Sequence, residues 1–137
     1  MRILALDHGS RRIGVAVSDE LGIIAQPLEY VPAEPFAACM DRLQQLLGEM
    51  EVGLVLVGLP RNMDGSYGRA AQAVEEFVAA LRSQISVPIK TWDERLTSVQ
   101  ANRLLIQGNV RREKRKEKVD KMAAAILLQS YLDGLAT

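Results

Sequence analysis

The sequence predicts an α/β fold: one mixed sheet with helices on both faces. Two apolar runs, ILAL at 3–6 and IGVAV at 13–17, are separated by a short glycine-bearing turn, the pattern of an antiparallel hairpin. VGLVLVGLP at 52–60 is apolar at successive positions, as a parallel strand buried on both faces should be. Helical periodicities alternate with strand-like runs through the rest of the chain, and strands separated by helical crossovers pair in parallel.

In order along the chain, Gly9 sits in the hairpin turn, where it is free to take a positive φ. PLEYV at 27–31 reads as a third strand, with Pro27 at its first position, where a missing N–H does least harm. Phe36, Met40, Leu43, Leu47 and Met50 recur at spacings of 4 and 3, which predicts an amphipathic helix. The buried strand at 52–60 follows, and then a polar loop, RNMDGSYG at 61–68. Val74, Phe77, Val78, Leu81 and Ile85 define a second helix, and PIKTW at 88–92 a further strand. Thr97 and Gln100 form a capping box for a helix through Leu104 and Leu105, which Gly108-Asn109 would stop. The last helix is expected beyond the basic run, on Val119, Met122, Ala123, Ile126 and Leu127. With no internal repeat and no linker, residues 1–137 read as a single domain.

Composition sets the context. With 48% apolar and 25% charged residues the chain folds rather than remaining disordered, and no apolar run approaches the roughly 18 residues of a membrane span. The apolar stretch before Asp7 is too short for a signal peptide, and the single cysteine, Cys39, can form no internal disulfide; both favour a cytoplasmic setting. The formal net charge of zero conceals an asymmetry. Residues 1–89 hold 7 Lys/Arg against 11 Asp/Glu, and residues 90–137 hold 10 against 6. Much of the basic excess is RREKRKEK at 111–118, comprising Arg111, Arg112, Lys114, Arg115, Lys116 and Lys118 with two acids. Such a run is either a solvated face or loop, or an arm that grips phosphates.

In a sheet of this kind ligand chemistry gathers at the carboxyl ends of the parallel strands. The first strand ends at Asp7 and the strand at 88–92 at Asp93-Glu94. Asp120, in the last helix, has Ala123, Ala124 and Leu127 three, four and seven residues on, so its face is small and apolar. Carboxylates brought together repel unless a cation holds them, and hard oxygen ligands suit Mg²⁺ or Mn²⁺. Two such ions about 4 Å apart can activate water and stabilise the leaving oxygen of a phosphodiester. The competing reading is that Asp7 caps a turn, Asp93 or Glu94 opens a loop, and Asp120 pairs with Lys116 or Lys121.

Four blocks, DHGSRRIGVAVSD (7–19), VGLPRNMDGS (57–66), DERLTS (93–98) and VDKMAAAILLQSYLD (119–133), resemble the signature blocks of the YqgF family, also called RuvX. The resemblance runs almost end to end and in the same order. It implies an RNase H-like fold similar to the Holliday-junction resolvase RuvC, with a five-stranded mixed sheet in the order 3-2-1-4-5. It also implies nuclease activity, described for the family as Holliday-junction resolution and as completion of the 5′ end of small-subunit ribosomal RNA. By block, it assigns the metal-binding and catalytic acids to Asp7, Glu94 and Asp120, with Mg²⁺ or Mn²⁺ as cofactor. Two departures stand out. RNase H-like nucleases commonly carry a glutamate at the end of the fourth strand, where this chain has Gly58-Leu59-Pro60. RuvC-like sites often have a second acid in the last helix, where Ala123 and Ala124 stand here.

Around these acids, Arg11, Arg12, Arg61, Asn62 and Arg95, together with the run at 111–118, are the expected contacts to a nucleic-acid backbone, either an rRNA precursor or branched DNA. Strand alternation lets only one of Asp93 and Glu94 reach the metal. His8, the single histidine, could position water or phosphate, although a lone histidine in a turn is more often structural. Ser10 and Ser18 have no matched base, and Cys39 lies in an apolar stripe. GSRRIGV at 9–15 spaces its glycines like a P-loop but lacks the Lys and Ser/Thr that follow. One lobe is also too little for an actin-like ATPase, which clamps nucleotide between two. A nuclease fold that binds without cutting is the other alternative. A resolvase making paired cuts would be a homodimer, whereas an enzyme trimming RNA ends can act as a monomer.

Overall fold

The computed structural model describes residues 1–61, 64–93 and 112–135, the last segment as backbone only up to residue 121. Its elements are β1 (Arg2–His8), β2 (Arg12–Ser18), β3 (Ala25–Pro32), α1 (Phe36–Glu49), β4 (Val52–Leu59), α2 (Arg69–Gln84), β5 (Ile89–Asp93) and α3 (Arg112–Leu135). The five strands form one sheet in the order β3-β2-β1-β4-β5, as expected. β1 pairs antiparallel with β2 and β2 with β3, whereas β1 with β4 and β4 with β5 are parallel. The expected helix through Leu104 and Leu105 lies outside the described residues.

The pleat of β1 divides the core. Leu4 and Leu6 join Ile13, Val15, Val31, Val55 and Val57 beneath α1 and α2. Ile3 and Ala5 face the other way and join Ala16 and Leu56 beneath α3, which supplies Ala124, Ala125, Leu127, Leu128, Tyr131 and Leu132. The two layers differ in side-chain size. Alanines on both the strands and the helix bring α3 close to the sheet, so that a Cβ on Gly14 of β2 would touch both Ala124 of α3, at 3.8 Å, and Asp7 of β1, at 3.6 Å. Among the described residues, no helix is long and apolar enough to cross a membrane.

Several elements differ from the sequence reading in informative ways. β3 starts at Ala25, so Pro27 is its third residue. It is tolerated because β3 is an edge strand and the register shifts beside it, between Val15 and Ala16 of the partner. In α1 the buried stripe is Cys39, Met40, Leu43 and Leu46, while Phe36 opens the helix and stays 37% exposed. α3 begins at Arg112, so most of the basic run is helix and not a segment preceding it. Its buried face also lies further round than expected: Met122 is exposed, and Ala124 and Leu128 are covered. Gly9 does not take a positive φ. It is required because a Cβ there would lie 2.6 Å from the Arg12 carbonyl oxygen, which accepts the Gly9 N–H at 3.0 Å.

At the opposite end of the sheet, Ser18 is buried. Its Oγ accepts the Ile3 N–H at 2.9 Å and donates to the Asp19 carbonyl at 3.0 Å, a structural role. Gln129 of α3 fastens the β2–β3 turn, accepting from the Ala25 N–H and donating to the Ile23 carbonyl, both at 2.9 Å. Because α3 is held by these ends and by a layer of small side chains, its few large residues carry much of the packing. Leu128, fully buried, is one of them. Leu128→Ala should cost about 2–5 kcal/mol in urea unfolding, with an unchanged m-value.

Candidate active site

Asp7 is the penultimate residue of β1 and belongs to the α3 face by strand alternation. Its neighbours across the sheet follow from the registers. Asp7 pairs with Gly14, Gly14 with Tyr30, and Gly58 with Trp92. Leu6 pairs with Val57, so continuing that register by one residue brings Gly58 alongside Asp7. The carboxylate therefore stands between two glycines in a row whose outer members are Tyr30 and Trp92. Space beside Asp7 is a consequence of these glycines. A Cβ on Gly14 would lie 3.6 Å from Asp7 Cβ, 3.6 Å from Tyr30 Cε1 and 3.8 Å from Ala124 Cβ, filling the floor of the site.

That space is a cleft of about 190 Å³ lined by Asp7, Gly9, Arg12, Gly14, Tyr30 and Ala123. Arg12 opens β2 on the same face, and its guanidinium carbon lies 4.0 Å from the centre of the Tyr30 ring, a cation–π contact. Ala123 and Ala124 come from α3, and residue 120 is on the same helix one turn earlier. Of the three acids expected to meet, Asp7 is in the cleft, Asp120 is placed by its backbone in α3, and Glu94 lies outside the described residues. Among the described residues, no three His, Cys, Asp or Glu side chains form a metal-binding group.

Asp93 is turned elsewhere. Trp92 packs edge-on against Tyr131 of α3 at 5.1 Å between ring centres, so alternation gives Asp93 the opposite face. Its Oδ2 lies 3.4 Å from Arg61 Nη1. Arg61 also donates to the Gly65 carbonyl from Nη2 at 2.6 Å and from Nε at 3.0 Å, and its guanidinium lies over Tyr67. The structure thus shows Arg61 bracing the loop after β4. Arg11 is exposed in the hairpin turn, and its carbonyl accepts the Ala33 N–H at 3.0 Å. Asn62, Arg95 and Arg111 lie outside the described residues. Arg112, Lys114, Arg115, Lys116 and Lys118 occupy the first turns of α3.

His8 follows Asp7 in sequence but faces away from it. Its ring packs on Phe77 of α2, 4.7 Å between centres, in a separate cavity under α1 and α2. Burial lowers its pKa below the ordinary 6.5, outweighing the upward pull of the neighbouring Asp7 charge. Cys39 is buried in α1, and burial raises its thiol pKa, so it is an inert core residue. Ala123, expected beside Asp120, lines the cleft, whereas Tyr30 and Gly14 are the site residues that sequence reasoning missed. Only the strand register and the packing of α3 identify them.

The His8 shift has a measurable sign. The folded pKa lies below the unfolded one, so the unfolded chain binds more protons between the two values. The associated stability is fully present above pH 6.5 and is lost as pH falls through the folded pKa. Urea midpoints measured from about pH 7 down to about pH 5 should fall more steeply for the wild type than for His8→Phe.

A family model described as "RuvX: Holliday junction resolvase" matches residues 1–134. A curated protein from Desulforamulus reducens, named "Putative pre-16S rRNA nuclease", is 49% identical over 134 residues, covering 98% of each chain. Two solved structures share the fold. Thermus thermophilus RuvC in complex with a Holliday junction substrate has a TM-score of 0.52 at 18% identity, over 93% of this chain and 92% of that one. The fowlpox virus Holliday junction resolvase has a TM-score of 0.56 at 14% identity, over 98% and 99%. A family match over residues 1–134, joined by a relative 49% identical over 98% of each chain, is decisive: the chain belongs to the RuvX family of nucleases.

Proposed function

We propose that this protein is a divalent-metal-dependent endonuclease that hydrolyses phosphodiester bonds at the 5′ end of the 16S rRNA precursor. The observation that carries the reading is the setting of Asp7. A carboxylate at the end of a central strand, given room by Gly14 and lying under the helix that bears Asp120, shares its cleft with an arginine. The choice of RNA follows the name of the relative at 49% identity, since the likeness to resolvases at 18% and 14% is one of fold.

The donor set suits a hard cation: Asp7 and Asp120 as ligands, with Glu94 as a third ligand or the base that orients water. Asp93 is engaged by Arg61, which favours Glu94 for that place. When bound, Mg²⁺ or Mn²⁺ supplies charge that acidifies water and stabilises a leaving oxygen. The chain's own residues supply the rest. Arg12 offers its guanidinium edge to a phosphate oxygen, in the bidentate manner that suits this group. A water oxygen bonds to phosphorus as one P–O bond to ribose breaks, and the departing oxygen takes up a proton. The basic turns at 112–118 precede Asp120 by up to about 12 Å along α3, in reach of phosphates flanking the cut. Affinity dominated by such contacts falls steeply with salt.

The test is cleavage of an rRNA precursor fragment and of a four-way DNA junction by the full chain with Mg²⁺ or Mn²⁺. Asp7→Asn and Asp120→Asn should each lower the rate at least about a hundredfold and leave salt-sensitive binding intact. Cutting that survives either substitution sinks the metal-site assignment. Binding without cutting by the wild type identifies a binder of nuclease fold, and preference for the junction moves the substrate from RNA to DNA. Solution mass in the same buffers distinguishes a monomer from a homodimer.

A further inference from the structure

We propose that Tyr30 is a positioning residue of this site, whose ring holds the Arg12 guanidinium over the cleft so that it grips the phosphate beside the bond being cut. The inference rests on the nuclease reading and adds a residue to it.

Three observations meet at Tyr30. The pairing of Asp7 with Gly14 and of Gly14 with Tyr30 puts the ring two strands from the carboxylate in one row. Because Gly14 has no side chain, the ring leans across the strand between them. A single point above Gly14 is 3.6 Å from both Tyr30 Cε1 and Asp7 Cβ. The Arg12 guanidinium carbon stands 4.0 Å from the ring centre, and Arg12, Tyr30 and Asp7 line the same cleft.

The chemistry is compatible on both sides of the guanidinium. Stacking engages its face, while a phosphate takes paired hydrogen bonds from its edge, so one arginine can do both at once. Arg12 is exposed, and an unrestrained arginine samples many rotamers. The ring narrows that set before substrate arrives, a form of preorganisation.

The experiment uses the full chain with Tyr30→Leu, Tyr30→Phe, Arg12→Gln and the double variant Arg12→Gln/Tyr30→Leu. Binding of the rRNA precursor fragment is measured against salt with Ca²⁺ replacing Mg²⁺, and kcat and KM are measured with Mg²⁺. Arg12→Gln should reduce the salt slope by about one, whereas Tyr30→Leu keeps the charge and should leave the slope unchanged. Tyr30→Leu should lower affinity and kcat/KM roughly two- to fivefold, the size of an exposed cation–π contact, and Tyr30→Phe should restore both. In the Arg12→Gln background, Tyr30→Leu should have no further effect. Wild-type kcat/KM and affinity in Tyr30→Leu, with only a lowered melting temperature, overturns the proposal. So does an equal loss in both backgrounds. Binding without cutting by the wild type sinks the nuclease reading alone, and the binding cycle still decides whether Tyr30 acts through Arg12. Failure to bind overturns both.

Discussion

The pleat of β1 is the constraint on which the rest depends. Its seven residues alternate between two cores that are not interchangeable, one built of Leu, Ile, Val, Met and Phe, the other rich in alanine. A slip of one residue would force Leu4 and Leu6 into the alanine layer and exchange Asp7 with His8. The packing of the strand's first half thus fixes the chemistry of its last two residues. The acid faces α3 and the imidazole faces α2, adjacent in sequence and separated by the thickness of the sheet.

The same division explains how α3 comes to serve the site. Ala5 and Ala16 on the strands meet Ala124 and Ala125 on the helix, all but buried. Small side chains on both sides permit a close approach at the end where Asp7 stands, and the larger Leu127, Leu128, Tyr131 and Leu132 anchor the remainder of the helix. Packing density and the position of residue 120 are therefore linked, and the glycines beside Asp7 keep the resulting gap open.

The sheet was legible in the sequence because its strands carry the simplest signals: an apolar doublet around a glycine turn and an uninterrupted buried run. Helix existence was legible too, but not its rotation. Periodicity placed Phe36 in the buried stripe of α1 although it is 37% exposed, and it left out Leu46. The start of α3 was misplaced because the charged residues of 112–118 give no apolar period to read. In the site, Asp7 announced itself as a charge ending an apolar strand. Tyr30 could not, because its place depends on the register shift between Val15 and Ala16, a property of two strands together. Arg61 had a composition signal for phosphate, yet its geometry joins it to Gly65 and Asp93.

The outer strand β3 has an implication of a different kind. Pro27 and Pro32 remove two backbone donors from it, and Glu29 places a charge there, tied to Arg42 of α1 through two bonds of 2.6 and 2.9 Å. An edge with missing donors, a local shift and a helix strapped to it is a poor template for a further strand. Crowded copies of this chain are thus guarded against joining sheet to sheet along β3, one of the two edges of the sheet.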